Sequence, residues 1–322
     1  MKYLSNCCTR ATWNMAFDEH CLQQFGFPVF YLWRNAPSVI IGLNQNPYAE
    51  VNLPYLEQHG ILLARRVTGG GAVYHDLQNL NYSIIRPVTG DSDSSDVVQM
   101  VTDALRRLGV PAELSGRNDI LVEGRKVSGY ARRVWCDHEM IHGTLMFDVD
   151  IDTLTQALNV PGSKLEAKGV ASVRSRVANL KDYLPQCKDV LDLQRLLLAE
   201  LAGDDGGVEL PAGFLDEVTR SENRKFGTWE WNFGRSSEAG FERSCRLGCG
   251  EVQARLVLDR GCIKSVDFSG DFLGGLPARQ LASRLQGVRY ERKTIAEVLA
   301  PAEVSKYFDG ARWTDILELL IG

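Results

Sequence analysis

The stretch GRSSEAG, residues 234–240, constrains the fold of this chain more than any other, because the pattern of elements stops before it and restarts after it. A chain of 322 residues is in any case long for one core, and about 150 residues per domain gives two. Beyond the break, EVQARLVLDRGCIKSVDFSG (251–270) reads as two alternating strands joined at Asp259-Arg260-Gly261. Helices follow near 277–285, 291–299 and 312–320, which makes a small α+β domain with its own modest core.

Before the break, strands and helices intermingle. A helix is predicted over 14–24 with Asn14 as its cap, then strands in PVFYLWR and SVIIGLN, separated by the breaker NAP. NLPYLEQHG reads as a short helix ending at Gly60. Strands are expected near 61–66, 71–75 and 80–86, and a helix over 95–108, where Val97, Val98, Val101, Ala104, Leu105 and Leu108 recur at helical spacing. Three β-like runs broken by glycines follow, DILVEG, KVSGYARRV and EMIHGTLMFDV, and then helices near 151–158, 189–202 and 212–223. GDDGG (203–207) reads as a turn, and no internal repeat or low-complexity tract is present.

The net charge of −5 argues against general nucleic-acid or anionic-membrane binding. No stretch approaches the ~18 uninterrupted apolar residues of a membrane span, and the first twenty residues lack the apolar core of a secretory signal. The eight cysteines are therefore expected as reduced thiols in a cytosol-like compartment. Cys245, Cys249 and Cys262 have no histidine nearby to complete a four-ligand zinc site. Basic islands at 117–133 and 164–181 in an acidic chain point to a small anionic ligand, although any single lysine there also reads as solvated surface.

The chemistry concentrates in RRVTGGGAVYHD, residues 65–76. It is no P-loop, and in the dinucleotide pattern Gly69 and Gly71 fit but Tyr74 stands where the third glycine belongs. Consecutive glycines let a backbone approach a bulky ligand, and free N–H groups there face phosphate or carboxylate oxygens. Arg66 adds a planar donor fork. The bland alternative is a glycine-rich kink whose Arg65 and Arg66 pair with surface carboxylates. Adjacent strand residues face opposite ways, so His75 and Asp76 are read as a pocket-wall donor and a backbone-bonding turn residue rather than a dyad. In SGRNDILVEGRKVSGYARR (115–133), a hairpin turning at Gly124 brings Asp119 towards Lys126, a carboxylate suited to Mg²⁺ beside a cation suited to charge on a phosphoryl or carbonyl oxygen. Ser128-Gly129 removes bulk beside that lysine, Gly143-Thr144 is small and polar within a strand, and KGVASVRSRVANL (168–180) reads as a loop that closes on an anion.

Taken together, RRVTGGGAVYHD, GRNDILVEGRKVSGYA, HGTLMFDVD and KGVASVRSRVANL closely resemble, in order and spacing, the lipoate–protein ligase A family. NMAFDEHCL, YLWRNAPSVIIGLNQNP and TWEWNFG fit the same pattern, and the tail from GVRYERKTIAEVL to ILELLIG resembles its accessory domain. The resemblance covers nearly the whole chain. It implies an α/β (α+β mixed-sheet) catalytic domain related to biotin ligases over 1–238 and a small α+β accessory domain over 241–322. It implies a monomeric, cytoplasmic enzyme that uses ATP and Mg²⁺ to convert lipoate to lipoyl-AMP. The lipoyl group then passes to a lysine of apo lipoyl domains, in acyltransferase subunits of 2-oxoacid dehydrogenase complexes or in the glycine cleavage H protein. No covalent protein nucleophile is needed, since charge neutralisation and orientation carry such a reaction.

The resemblance also implies residue roles. Lys126 is the catalytic cation. The adenylate is held by Arg66, Gly71, Ala72, Val73, Tyr74, His75, Asn118, Lys126, Ala131, Thr144 and Arg174. Lipoate is held by Met15, Phe17, Trp33, Arg66, Thr68, Gly70 and His142, and Asp119 is the Mg²⁺ ligand. Thr68 stands where family members often carry serine, which keeps the hydroxyl. A relative that only transfers lipoyl from preformed lipoyl-AMP remains open, as does a non-catalytic lipoate-binding protein. Biotin ligases share the pattern Asn118, Asp119, Lys126, Gly129, but the Gly-Arg-Gly-Arg loop expected of them is missing. An octanoyltransferase would lack the C-terminal domain.

Overall fold

The computed structural model describes residues 1–88, 95–115, 119–158, 175–202 and 207–322. By internal contacts it divides into two compact units, one of Met1–Gln45 with Glu50–Thr228, the other of Asn46–Ala49 with Trp229–Gly322.

The larger unit is built on a seven-stranded mixed sheet. Its strands are β1 (Lys2–Tyr3), β2 (Val29–Trp33), β6 (Asn79–Pro87), β7 (Ala112–Ser115), β8 (Asp119–Val122), β9 (Arg125–Trp135) and β10 (His138–Met146), in the spatial order β1-β2-β6-β10-β9-β8-β7. Only the β1–β2 pair in it is parallel. Connections between β8, β9 and β10 are too short for a parallel crossover, so this part meanders. A second sheet holds β3 (Ser38–Ile41) between β4 (Leu62–Arg65), parallel to it, and β5 (Val73–His75), antiparallel.

Strand alternation decides what faces the core and what faces the site. On β6, Leu80, Tyr82 and Ile84 join the apolar core, with Val97, Val101 and Leu105 from the helix Ser95–Arg107 and Leu193 and Leu197 from the helix Val190–Ala202. The intervening Asn79, Asn81 and Ser83 are buried too but belong to a polar set on the other face. That apolar stripe on Ser95–Arg107 was legible from its spacing.

In the smaller unit, β11 (Ala239–Leu247), β12 (Gly250–Asp259) and β13 (Cys262–Gly270) form an antiparallel sheet. Val252, Ala254, Leu256 and Leu258 alternate inward against Leu281, Ile295, Leu299 and Ile316 of the helices Ala278–Leu285, Arg292–Leu299 and Trp313–Ile321. The ring of Tyr48 packs within the same unit, 5.5 Å from Tyr290 and 6.0 Å from Phe233 between centroids.

Three strands among the described residues escaped the sequence reading. β11 lies partly in the predicted break, and its half-buried positions Phe241, Arg243, Cys245 and Leu247 include a charge that spoils the alternation. β7 and β1 have four and two residues and carry no period of their own. The first long helix starts at Ala11, not Asn14, and Asn14 lies buried inside it instead of capping it. The helix expected over 212–223 runs over Phe214–Ser221 and continues as a π-turn, Glu222–Phe226. All eight cysteines are free thiols, and no helix among the described residues is long and apolar enough to cross a membrane.

Candidate active site

One cavity in the larger unit gathers side chains from distant parts of the chain. Arg66, Gly70, Gly71, Ala72 and Val73 supply one wall. Lys126, Ala131 and Thr144, on β9 and β10, supply the facing one. Met15, Trp33, His75 and His142 complete it.

The glycine wall is organised by Arg66, which is buried. Its Nε donates to Thr68 Oγ1 (3.0 Å), its Nη1 to the Ile40 carbonyl (3.0 Å), and its Nη2 to the carbonyls of Gly69 (2.7 Å) and Gly71 (2.8 Å). Burial pushes its pKa down to about 10, which still leaves it charged at neutral pH. The donor fork expected to point at phosphate is thus engaged by the loop's own main chain. Arg65, read as a candidate surface pair, is instead fully buried and donates from Nη1 to the carbonyls of Gly42, Leu43 and Gln45. Of the three glycines, Gly70 is the one its place demands: its φ is +94°, and a Cβ there would sit 2.8 Å from Arg66 Nη2.

Alternation explains a split along β5. Val73 and His75 line the cavity and Tyr74 does not; it pairs with Val39 on the other face of the strand. The same logic corrects Phe17. Met15 lines the cavity, but two positions on along a helix points elsewhere, and Phe17 packs into the core against Trp13, Tyr31 and Phe214 at 5.2, 5.1 and 5.7 Å between centroids.

Thr68 stands one bond behind the wall, joining Arg66 to His142 Nε2 at 2.8 Å. His142 Nδ1 lies 2.7 Å from Asp18 Oδ2. Asp18 is buried, and its Oδ1 accepts from the Tyr31 hydroxyl and from Ser83 Oγ (2.9 Å), which in turn accepts from Trp33 Nε1 (2.9 Å). A buried carboxylate that receives these donors is satisfied, and the imidazole it faces carries its proton on Nδ1. Trp33, His142 and Thr68 are thereby held in place by one side chain that the sequence reading did not single out. The signal was Asp18 following directly on the apolar Met15-Ala16-Phe17 in NMAFDEHCL.

The facing wall is looser. Lys126 Nζ lies 2.7 Å from Asp119 Oδ1, with side chains 39% and 32% exposed. The β8–β9 hairpin creates this approach, as expected, helped by an irregularity between Ile120 and Leu121. Gly129 belongs to the arrangement because a Cβ on it would sit 2.8 Å from Lys126 Nζ. The Lys126 backbone is fixed, since its N–H donates to the Arg176 carbonyl (2.8 Å) and its carbonyl accepts from Ala178 (2.9 Å). Arg133 ties the hairpin to the glycine loop by donating to the Val67 carbonyl (2.6 Å). Asp76 bonds the backbone at Gln78 and Asp150, the role expected of it.

Asn118 and Arg174, along with most of the loop 168–180, lie outside the described residues. Ile40, Asn81, Tyr130 and Gly143 line the cavity without having been predicted to. Asn81 was hidden because a polar residue in a buried strand reads as loop-like until the partner face is known. Among the described residues no group of three or more His, Cys, Asp or Glu is placed to hold a metal ion.

Comparison with known proteins yields a consistent set. Residues 10–202 match the lipoyl protein ligase A/B catalytic domain, and residues 236–320 match the bacterial lipoate protein ligase C-terminus. The lipoate-protein ligase LplJ of Bacillus subtilis is 38% identical over 318 residues, covering 95% of this chain and 96% of its own length. A structure from an archaeal lipoylation system, comprising a bipartite lipoate protein ligase and its E2 lipoyl domain from Thermoplasma acidophilum, superposes with TM-score 0.65 at 30% identity, covering 72% of this chain and 95% of that one. A lipoate-protein ligase A crystallised with ATP gives TM-score 0.62 at 28% identity, covering 72% and 97%.

Proposed function

This chain belongs to the lipoyl protein ligase A/B catalytic family, and from that premise we propose how its cavity works as an ATP-dependent lipoate–protein ligase. In the first step a carboxylate oxygen of lipoate attacks the α-phosphorus of ATP. The bond from that phosphorus to the β-phosphate oxygen breaks, giving lipoyl-AMP and pyrophosphate. In the second step the unprotonated ε-amine of an acceptor lysine attacks the lipoyl carbonyl carbon. The carbon–oxygen bond to phosphate breaks, AMP departs, and the amine loses a proton to leave an amide.

The observation that carries this reading is the convergence of Arg66, Gly71–Val73 and Lys126 on one cavity. Lys126 is the catalytic residue: its ammonium contacts the carbonyl and phosphate oxygens of the adenylate and neutralises charge that builds on both. Its pairing with Asp119 does not prevent this, because a half-exposed ion pair is worth only about 0–1 kcal/mol. Gly71, Ala72, Val73, His75, Ala131 and Thr144 surround the nucleotide, and the resemblance adds Asn118 and Arg174, which lie outside the described residues. Met15, Trp33, Gly70 and His142 enclose the acyl tail, and burying it at ~0.8 kcal/mol per CH₂ supplies much of the affinity. Mg²⁺ enters with ATP; Asp119 is the carboxylate placed beside Lys126, and one carboxylate with phosphate oxygens is a usual way to hold that ion. We assign residues 1–238 to the catalytic domain and 241–322 to the accessory domain of a cytoplasmic monomer, with Asn46–Ala49 and Trp229–Glu238 packing in the smaller unit. The acceptors are apo lipoyl domains of 2-oxoacid dehydrogenase acyltransferases and the glycine cleavage H protein.

The test is to incubate the protein with lipoate, Mg-ATP and an apo lipoyl domain, and to weigh the domain by mass spectrometry. A gain of one lipoyl group with lipoate-dependent release of pyrophosphate is expected. Modification from supplied lipoyl-AMP without pyrophosphate release from ATP would make the protein a transferase only.

A further inference from the structure

Three asparagines and one histidine form a directed hydrogen-bond series that ends at the cavity. The backbone N–H of Cys8 donates to Asn6 Oδ1 (3.0 Å). Asn6 Nδ2 donates to Asn14 Oδ1 (3.1 Å), Asn14 Nδ2 to Asn35 Oδ1 (2.8 Å), and Asn35 Nδ2 to His75 Nδ1 (3.0 Å). All four side chains are buried. The sense of the series follows from the backbone. An N–H group only donates, which fixes Asn6 Oδ1 as the acceptor. Asn14 Nδ2 also faces the carbonyl oxygens of Cys8 (3.0 Å) and Arg34 (3.1 Å), which only accept, so that atom is the amide nitrogen. Asn35 must then present its oxygen to Asn14 and its nitrogen to His75.

His75 Nδ1 therefore accepts, and a neutral imidazole that accepts at Nδ1 carries its proton on Nε2. Burial together with the charge of Arg66 and the neighbouring His142 holds the ring neutral, with its pKa pushed down to about 3. Nε2 is buried, has no hydrogen-bond partner among the described residues, and belongs to a residue that lines the cavity.

We propose that Asn35, backed by Asn14, is a positioning residue that locks His75 as the Nε2–H tautomer, so that the cavity offers a fixed neutral donor to an acceptor atom of the bound acid or its adenylate. This rests on the ligase reading for the ligand's identity, though the lock itself does not. It also separates the two cavity histidines. His142, facing Asp18 through Nδ1, carries a proton on that nitrogen instead. A ligand that presented a donor or a cation at His75 would meet an N–H it could not satisfy.

The experiment labels histidine nitrogens with ¹⁵N and reads the tautomer by long-range ¹H–¹⁵N correlation at pH 7, assigning His75 by its loss in His75→Gln. The wild-type protein is expected to show Nε2–H at His75. Asn35→Asp, nearly the same size, replaces the donor with an acceptor and is expected to move the ring to Nδ1–H or to imidazolium. With lipoate and ATP its kcat/KM should fall at least tenfold. A wild-type ring found as Nδ1–H or imidazolium overturns the proposal, and this arm needs no variant to fold as the wild type does. An Asn35→Asp protein that loses activity while His75 stays Nε2–H would also overturn it, leaving Asn35 a purely structural residue. Wild-type protein with no lipoate-dependent activity would instead sink the ligase reading, and the tautomer spectrum would still decide the lock.

Discussion

The two walls of the cavity are built on opposite principles. The glycine wall, whose glycines are themselves exposed, is backed by buried side chains with dedicated partners: Arg66 clasps main-chain carbonyls, and His75 and His142 are each held through Nδ1. The hairpin wall presents Lys126 on a long, partly exposed side chain paired with one carboxylate, Asp119. A buried network of this kind costs several kcal/mol to disturb, whereas the exposed pair costs about 1 kcal/mol or less. One wall is thus fixed before any ligand arrives, and the other holds a cation that moves cheaply. Shape recognition and charge neutralisation have been given to different parts of the chain.

The sharpest break of that contrast is Lys126→Ala. Removing the cation from both reacting oxygens should lower lipoylation by about a thousandfold, or ~4 kcal/mol of barrier, while the melting temperature stays within about 2 °C, since a half-exposed pair stabilises so little. Near-normal turnover by mass spectrometry would place the chemistry elsewhere.

A smaller effect should appear in stability against pH, and it belongs to the glycine wall. His75 is held neutral with its pKa pushed down to about 3, below the ordinary histidine value. The unfolded chain therefore binds a proton that the folded one refuses, and stability is complete above about pH 6.5 and lost as the pH falls towards 3. The slope in that window should approach ~1.4 kcal/mol per pH unit from this group. Urea titrations of wild type and His75→Gln between pH 7 and 5 check it, because the variant's curve should be flatter by that amount; parallel curves would remove His75 from the linkage.

Asp119→Asn should do least. It breaks the half-exposed pair for less than about 1 kcal/mol in denaturant and frees Lys126, so activity should change only a few-fold at saturating Mg-ATP. A loss comparable to that of Lys126→Ala would mean that Asp119 does more than pair with Lys126, as a carboxylate holding Mg²⁺ would.

Sequence reading reached the loose wall more completely than the rigid one. The hairpin meeting of Asp119 and Lys126 follows from local turn chemistry, and the helix Ser95–Arg107 from its apolar period. The glycine wall depends on long-range partners. Asn14 looked like a helix cap because asparagine favours that position, but its amide is engaged by carbonyls at Cys8 and Arg34, the second of them twenty residues away. Asp18 and Asn81 are polar residues in apolar surroundings, a pattern whose meaning appears only when the facing strand is known. Arg66 was read as a fork for phosphate, and its grip on the glycine carbonyls depends on how Gly70 turns, which spacing does not reveal.

Tyr48 is covalently part of the first fifty residues, yet its aromatic neighbours are Phe233 and Tyr290. Four residues, Asn46–Ala49, are thus on loan from the early sequence to a unit otherwise made of the last ninety-four, Trp229–Gly322. A gene cut at codon 229 would not release two independent modules. One half would keep an orphaned tyrosine, and the other would carry an apolar notch on its surface. The smaller unit draws on two stretches of sequence, so shuffling it intact onto another scaffold requires moving two segments of DNA rather than one.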